Sequence, residues 1–204
     1  MTRMARRLVA GVAGVAVLAL TACEPSAPAP IYHARDITGV MRPLAFQLVD
    51  GTGAAVTAAN YRGKIVLVFF GYTHCPDVCP TTLAKLTQVL KRLGPTADSV
   101  RVLFVSVDPA RDSPKLLKSY AAAFAPQFVG LTGSDAQLTE VTKRYRVAYR
   151  REKPDPNGEY AVYHSSAIFI FDISGNARLL ATGTESVADL TQDLRALADH
   201  LAPG

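Results

Sequence analysis

The chain has 204 residues, of which 49% are apolar and 19% charged, enough for one domain with a well-buried core and little for a second. The formal charge of +5 is not a nucleic-acid footprint. Arg3, Arg6 and Arg7 crowd the extreme N-terminus, and setting them aside leaves 19 basic against 17 acidic residues with no Lys/Arg cluster elsewhere.

Those three arginines precede an unbroken run of Leu, Val, Ala and Gly from Leu8 to Leu20. The run is shorter than the roughly 20 residues of a spanning helix, and its basic flank fits an export signal. It ends in Leu20-Thr21-Ala22-Cys23, which resembles the lipobox of bacterial lipoproteins. That resemblance implies a signal peptide over residues 1–22, cleavage before Cys23 and a lipid on that cysteine. An uncleaved signal anchor is the alternative. Either form tethers the chain to the cell membrane on its exported, periplasmic face. Residues 23–40 are expected to be a linker, stiffened by Pro25, Pro28 and Pro30, and residues 41–204 the domain.

Leu44 to Val49 alternates apolar and polar residues and meets Asp50-Gly51-Thr52-Gly53, which predicts a short strand or hairpin. Asn60-Tyr61-Arg62-Gly63 is a turn, and Lys64 to Phe70 a strand buried on both faces. Pro80 to Leu93 carries Leu83, Leu86, Val89, Leu90 and Leu93 on one helical stripe, stopped by Gly94-Pro95. Val100 to Val107 is a second buried strand. Ser113 caps a helix that Pro114 opens and that runs to about Phe124. Phe128 to Leu131 is a short strand, and Ser134 caps a helix through about Tyr145. Arg150 to Glu159 is a polar loop. Strands over Ala167–Asp172 and Ala177–Ala181 flank the turn Ser174-Gly175-Asn176, and Ser186 begins a closing helix to Leu201. Strands alternating with helices predict an α/β sheet with helices on both faces.

Cys75 and Cys79 lie just past a buried strand, where chemistry gathers in open α/β sheets, and just before a helix. Residues four apart share a face of a helical turn, so the two sulfurs can pinch one ion. A helix N-terminus is expected to lower thiol pKa, which favours metal binding and nucleophilic attack alike. If Cys23 is lipidated, only these two thiols remain, and a disulfide framework is excluded. Thiolates select Cu(I), zinc or iron–sulfur clusters, and two are too few for a cluster held by one chain. A third ligand must come from His33, His74, His164 or His200. His33 falls in the linker, His200 ends the last helix, and His74 sits too close to Cys75 to turn toward a shared ion. His164 lies in the loop before the strand Ala167–Asp172, which in a thioredoxin-like sheet packs over the cysteine-bearing helix end.

The run Gly71-Tyr72-Thr73-His74-Cys75-Pro76-Asp77-Val78-Cys79-Pro80 closely resembles the signature of the Sco/SenC family, copper proteins that help to build cytochrome c oxidase. Ser106-Val107-Asp108-Pro109-Ala110-Arg111-Asp112-Ser113-Pro114, Phe128 to Ser134, Tyr145-Arg146-Val147 and His164-Ser165 extend the likeness over about Phe46 to Leu201. The resemblance implies a thioredoxin-like fold with a central mixed sheet flanked by helices. It implies one copper per chain, Cu(I) or Cu(II), held by Cys75, Cys79 and His164. It also implies delivery of copper or electrons to the dinuclear copper centre of a copper-receiving oxidase subunit, with other copper chaperones or thiol oxidoreductases as further partners. The family commonly has Asp before this histidine, where this chain has Tyr163. Asp77 and Asp108 are expected either near the site and its docking face or as loop caps facing solvent.

The main rival is a thiol–disulfide oxidoreductase, with Cys75 and Cys79 as its redox disulfide. Against it, His164-Ser165-Ser166 stands where thioredoxins carry a proline. The residues upstream of either cysteine do not fit a peroxiredoxin, three ligands are one short of structural zinc, and no Cys-x-x-Cys-His is present for haem. A chaperone rather than an enzyme is expected, with thiol–disulfide exchange as a secondary role.

Overall fold

Four central strands take their places because their sequences are apolar on both faces. In the computed structural model, which describes residues 30–201, β4 (Ile65–Gly71), β5 (Val100–Ser106) and β6 (Phe128–Thr132) run parallel, and β9 (Ile168–Phe171) lies antiparallel on the other side of β4. The sheet is completed by β10 (Ala177–Ala181) and β1 (Arg35–Asp36) at one edge and by the hairpin β2 (Gln47–Asp50) and β3 (Ala55–Thr57) at the other. Its order is β1-β10-β9-β4-β5-β6-β2-β3. Two strands lie outside it, β7 (Tyr149–Arg151) and β8 (Val162–His164), paired as a separate ribbon.

Successive side chains of a strand point to opposite faces, and β4 divides its residues accordingly. Ile65, Leu67 and Phe69 face a core built with α1 (Val78–Leu93), α2 (Pro114–Ala122) and α4 (Val187–Leu201). Val66, Val68 and Phe70 face the other, which α3 (Asp135–Arg144) covers through Leu138 and Val141. The α/β fold with a central mixed sheet flanked by helices is therefore the one the sequence predicts. Among the described residues, no helix is long and apolar enough to cross a membrane. The signal peptide over 1–22 and Cys23 lie outside the described residues.

Three local differences follow from side-chain chemistry. First, α1 starts at Val78, two residues before the predicted Pro80. Asp77 occupies the cap position and accepts from Thr81 Oγ1 at 3.1 Å. Pro80 then falls in the first turn, where a missing N–H leaves no intrahelical bond unmade. Second, part of the predicted linker belongs to the fold. Ala34 and Ile37 are buried, Arg35 and Asp36 pair with β10, and His33 N and Ala34 N donate to the two oxygens of buried Asp193 on α4 at 2.9 and 2.8 Å. Third, the polar segment 150–159 is bounded by paired strands. Tyr149 pairs with His164 and Arg151 with Val162, so His164 ends β8 instead of sitting in an open loop.

Candidate metal centre

The site forms where β4 ends and α1 begins. Gly71, the last residue of β4, is required by space: a Cβ there would sit 2.6 Å from Cys79 Sγ and 2.8 Å from Phe104 Cε2. The sulfur of Cys79 thus rests on bare backbone. Cys79 is fully buried in the first turn of α1, whereas Cys75 is half-buried in the turn before it, and both are free thiols. The backbone N–H of Cys79 donates to Cys75 Sγ at 3.4 Å, so the amide at the helix start is aimed at the more accessible sulfur.

His164 reaches this pair from the far ribbon. Its Nδ1–H donates to the carbonyl of Ser165 at 3.0 Å. A carbonyl can only accept, so the proton sits on Nδ1 and the Nε2 lone pair is free. That Nε2 lies 3.4 Å from Cys79 Sγ, accepting from the thiol. The imidazole is held edge-on by the rings of Phe69 and Tyr72, each with its centroid 6.0 Å away. Donor atoms of Cys75, Cys79 and His164 all lie within 4.8 Å of one another, a spacing that one metal ion can bridge.

Of the other histidines, His74 turns away: its Nδ1 is 3.1 Å from Thr73 Oγ1, and its side chain is largely exposed. His33 is tied to α4, with Nε2 3.2 Å from Gln192 Oε1 and Nδ1 3.7 Å from Asp189 Oδ1.

The electrostatics correct one sequence expectation. The helix N-terminus was expected to lower thiol pKa, but burial pushes the Cys79 thiol well above its ordinary value, and the nearby Cys75 sulfur adds to the rise. Removing a thiolate from water outweighs the partial charge of a helix end. A metal ion held through Cys79 would have to displace that firmly held proton.

Asp112, Arg151 and Tyr160 support the site without a role assigned from the sequence. Asp112, fully buried, accepts from Thr73 N at 2.9 Å, Thr73 Oγ1 at 2.6 Å and Ser106 Oγ at 2.5 Å, bracing the turn that presents Cys75. Asp108 is also fully buried, not a solvent-facing cap: it accepts from Arg111 Nε and Tyr160 Oη, each at 2.6 Å. Arg111 in turn lies over the Tyr160 ring, with Cζ 3.6 Å from its centroid. Arg151 donates from Nε and Nη2 to the Val107 carbonyl at 3.0 and 2.8 Å. Tyr160 and Arg151 thereby pin the β7–β8 ribbon, and with it His164, to the loop after β5. The run Ser106 to Pro114 was a signal for the two aspartates, but nothing in the sequence around 150–160 marks Arg151 or Tyr160 as fasteners. Tyr163 is exposed beside His164, with Arg150 Cζ 4.9 Å from its ring centroid.

The family model described as SCO1/SenC matches residues 41–199. A SCO2-like protein of Rickettsia conorii is 38% identical over 133 residues, which are 64% of this chain and 64% of that protein. The match thus spans less than two thirds of that relative's length. Among solved structures, ScoI of Bradyrhizobium japonicum with copper bound superposes with a TM-score of 0.69 at 39% identity, covering 76% of this chain and 98% of that one. Yeast Sco1 with copper bound gives 0.73 at 30% identity, covering 80% and 92%. The thioredoxin-like architecture expected from the sequence is the one shared with these structures.

Proposed function

The chain belongs to the SCO1/SenC family, and on that premise we propose that it is a copper chaperone tethered to the exported face of the cell membrane, serving assembly of cytochrome c oxidase. Its cargo is one copper ion, held by Cys75 Sγ, Cys79 Sγ and His164 Nε2. The observation that carries this reading is the convergence of two sulfurs and an imidazole lone pair on one point. Two thiolates and one imidazole suit Cu(I) in particular. Cys75 is accessible enough for thiolates of the copper-receiving subunit to attack the metal, while Cys79 and His164 hold it from behind.

In this reading residues 1–22 are removed, Cys23 carries the lipid, and the domain follows the Pro-rich stretch. A redox role accompanies it, favoured by the free, adjacent thiols of Cys75 and Cys79. Thiol–disulfide exchange with a partner's disulfide, which is reduced to two thiols as the Cys75–Cys79 bond forms, takes away both sulfur ligands and releases the metal. Competition against a chromogenic Cu(I) chelator tests the proposal. One Cu(I) per reduced chain is expected, with affinity falling at least tenfold in His164→Ala and further in Cys75→Ser or Cys79→Ser. Unchanged affinity in His164→Ala, together with rapid reduction of a disulfide substrate, would hand the site to the oxidoreductase reading.

A further inference from the structure

The strand directions fix where the chain enters the domain. β1 is antiparallel to β10, β10 to β9, and β9 to β4, so three reversals place the start of β1 at the end of the sheet where β4 finishes. The register is explicit: Arg35 pairs with Leu180, Leu180 with Phe169, and Phe169 with Val68. Each residue before Arg35 climbs from the level of Val68 toward that of Gly71, on which Cys79 rests. Three inter-strand steps of about 4.8 Å put this edge roughly 14 Å from β4. The strap is fixed there, because both oxygens of buried Asp193 hold His33 N and Ala34 N, and Tyr32 packs against the cluster that contains Cys79. Immediately before it Ile31 is 92% exposed, so the chain leaves the fold at the metal end.

We infer that the metal-binding end of the domain faces the membrane that tethers the chain. This rests on the reading that the chain is tethered through its N-terminal segment. Seven residues separate Cys23 from Pro30, and a chain of that length spans at most about 25 Å. A tether that short holds the near end of the domain toward the bilayer. The far end, at the start of β4, is about 20 Å further away.

The chain contains no Trp, so a single introduced indole reports alone. L116W marks the metal end and S99W, just before β5, the far end. Each full-length variant is reconstituted in phosphatidylcholine vesicles carrying a dansyl-headgroup lipid, and energy transfer is measured. Transfer at least twofold stronger from L116W is expected; equal or stronger transfer from S99W overturns the orientation. Mass spectrometry of the Cys23 peptide keeps the two readings apart. A membrane-bound chain without lipid on Cys23 sinks the lipidation alone, since a signal anchor enters through the same strap and the transfer measurement still decides. A full chain that stays soluble overturns both.

Discussion

His164 Nε2 lies 3.4 Å from Cys79 Sγ although 85 residues separate the two in the chain. One belongs to a helix start at the end of β4, the other to a ribbon outside the main sheet. The site exists only while that ribbon stays fastened.

Loosening the fastening should therefore weaken copper binding without touching a ligand. Arg151→Lys replaces a two-pronged grip on the Val107 carbonyl by a single donor, and Tyr160→Phe removes one partner of buried Asp108. Each is expected to cost about 1–3 kcal/mol of stability and to lower Cu(I) affinity severalfold. In a His164→Ala background the affinity effect should vanish, because the ribbon then carries no ligand. A double-mutant cycle read by chelator competition checks this.

Gly71→Ala forces a methyl group against Cys79 Sγ and the Phe104 ring, both under 3 Å away. Overpacking of this kind costs about 1–3 kcal/mol. The substitution should lower the urea midpoint and, by displacing the sulfur, weaken Cu(I) binding. Gly53→Ala, where a Cβ meets nothing within 4 Å, strains only the backbone and should leave copper affinity unchanged. Equal copper affinities in the two variants would contradict the role given to Gly71.

Asp112→Asn keeps the shape but replaces a carboxylate that accepts from three donors. Hydrogen bonds to a buried charge are worth about 1.5–3 kcal/mol each. A loss of several kcal/mol in stability is expected, together with faster alkylation of Cys75 as the Thr73–Cys75 turn relaxes. Iodoacetamide kinetics on the folded protein measure the second effect.

The stability of the metal-free protein should decline in alkali. Burial raises the folded-state pKa of Cys79 above that of the unfolded chain. The folded state therefore keeps its proton where the unfolded state has lost one, and stability falls as pH rises through the ordinary thiol range near 8.5. Between about pH 8.5 and 10 the decline should approach 1.4 kcal/mol per pH unit at most. Cys79→Ala should remove that part of the slope, as urea titrations at several pH values will show. Tyr61 and Tyr120, pushed by burial to about 12, add a further change only at higher pH.

Much of this was legible in one dimension. The run Lys64 to Phe70 could only be a strand covered on both faces, and the cap pairs Ser113-Pro114 and Ser134 placed their helices to within a few residues. Cys75 and Cys79 were readable as a pair because local spacing keeps them together in any helix-like turn. The short strands β1, β7 and β8 were not readable: two or three residues carry no periodicity, and they form because a neighbouring edge offers unpaired backbone groups. For Asp108 the sequence left a place near the site and a solvated loop cap both open, because Arg111 stands three residues away but Tyr160, its other partner, is brought to it from 52 residues on only by folding.

The sequence by itself determined which atoms could hold a soft metal, since thiol and imidazole chemistry belongs to the residues wherever they stand. Only the tertiary structure decided that the Nε2 lone pair faces the sulfurs, that Cys79 is shut away from water while Cys75 is not, and that the chain enters beside them. Those properties depend on desolvation and on contacts between strands distant in sequence, which no local pattern of residues encodes.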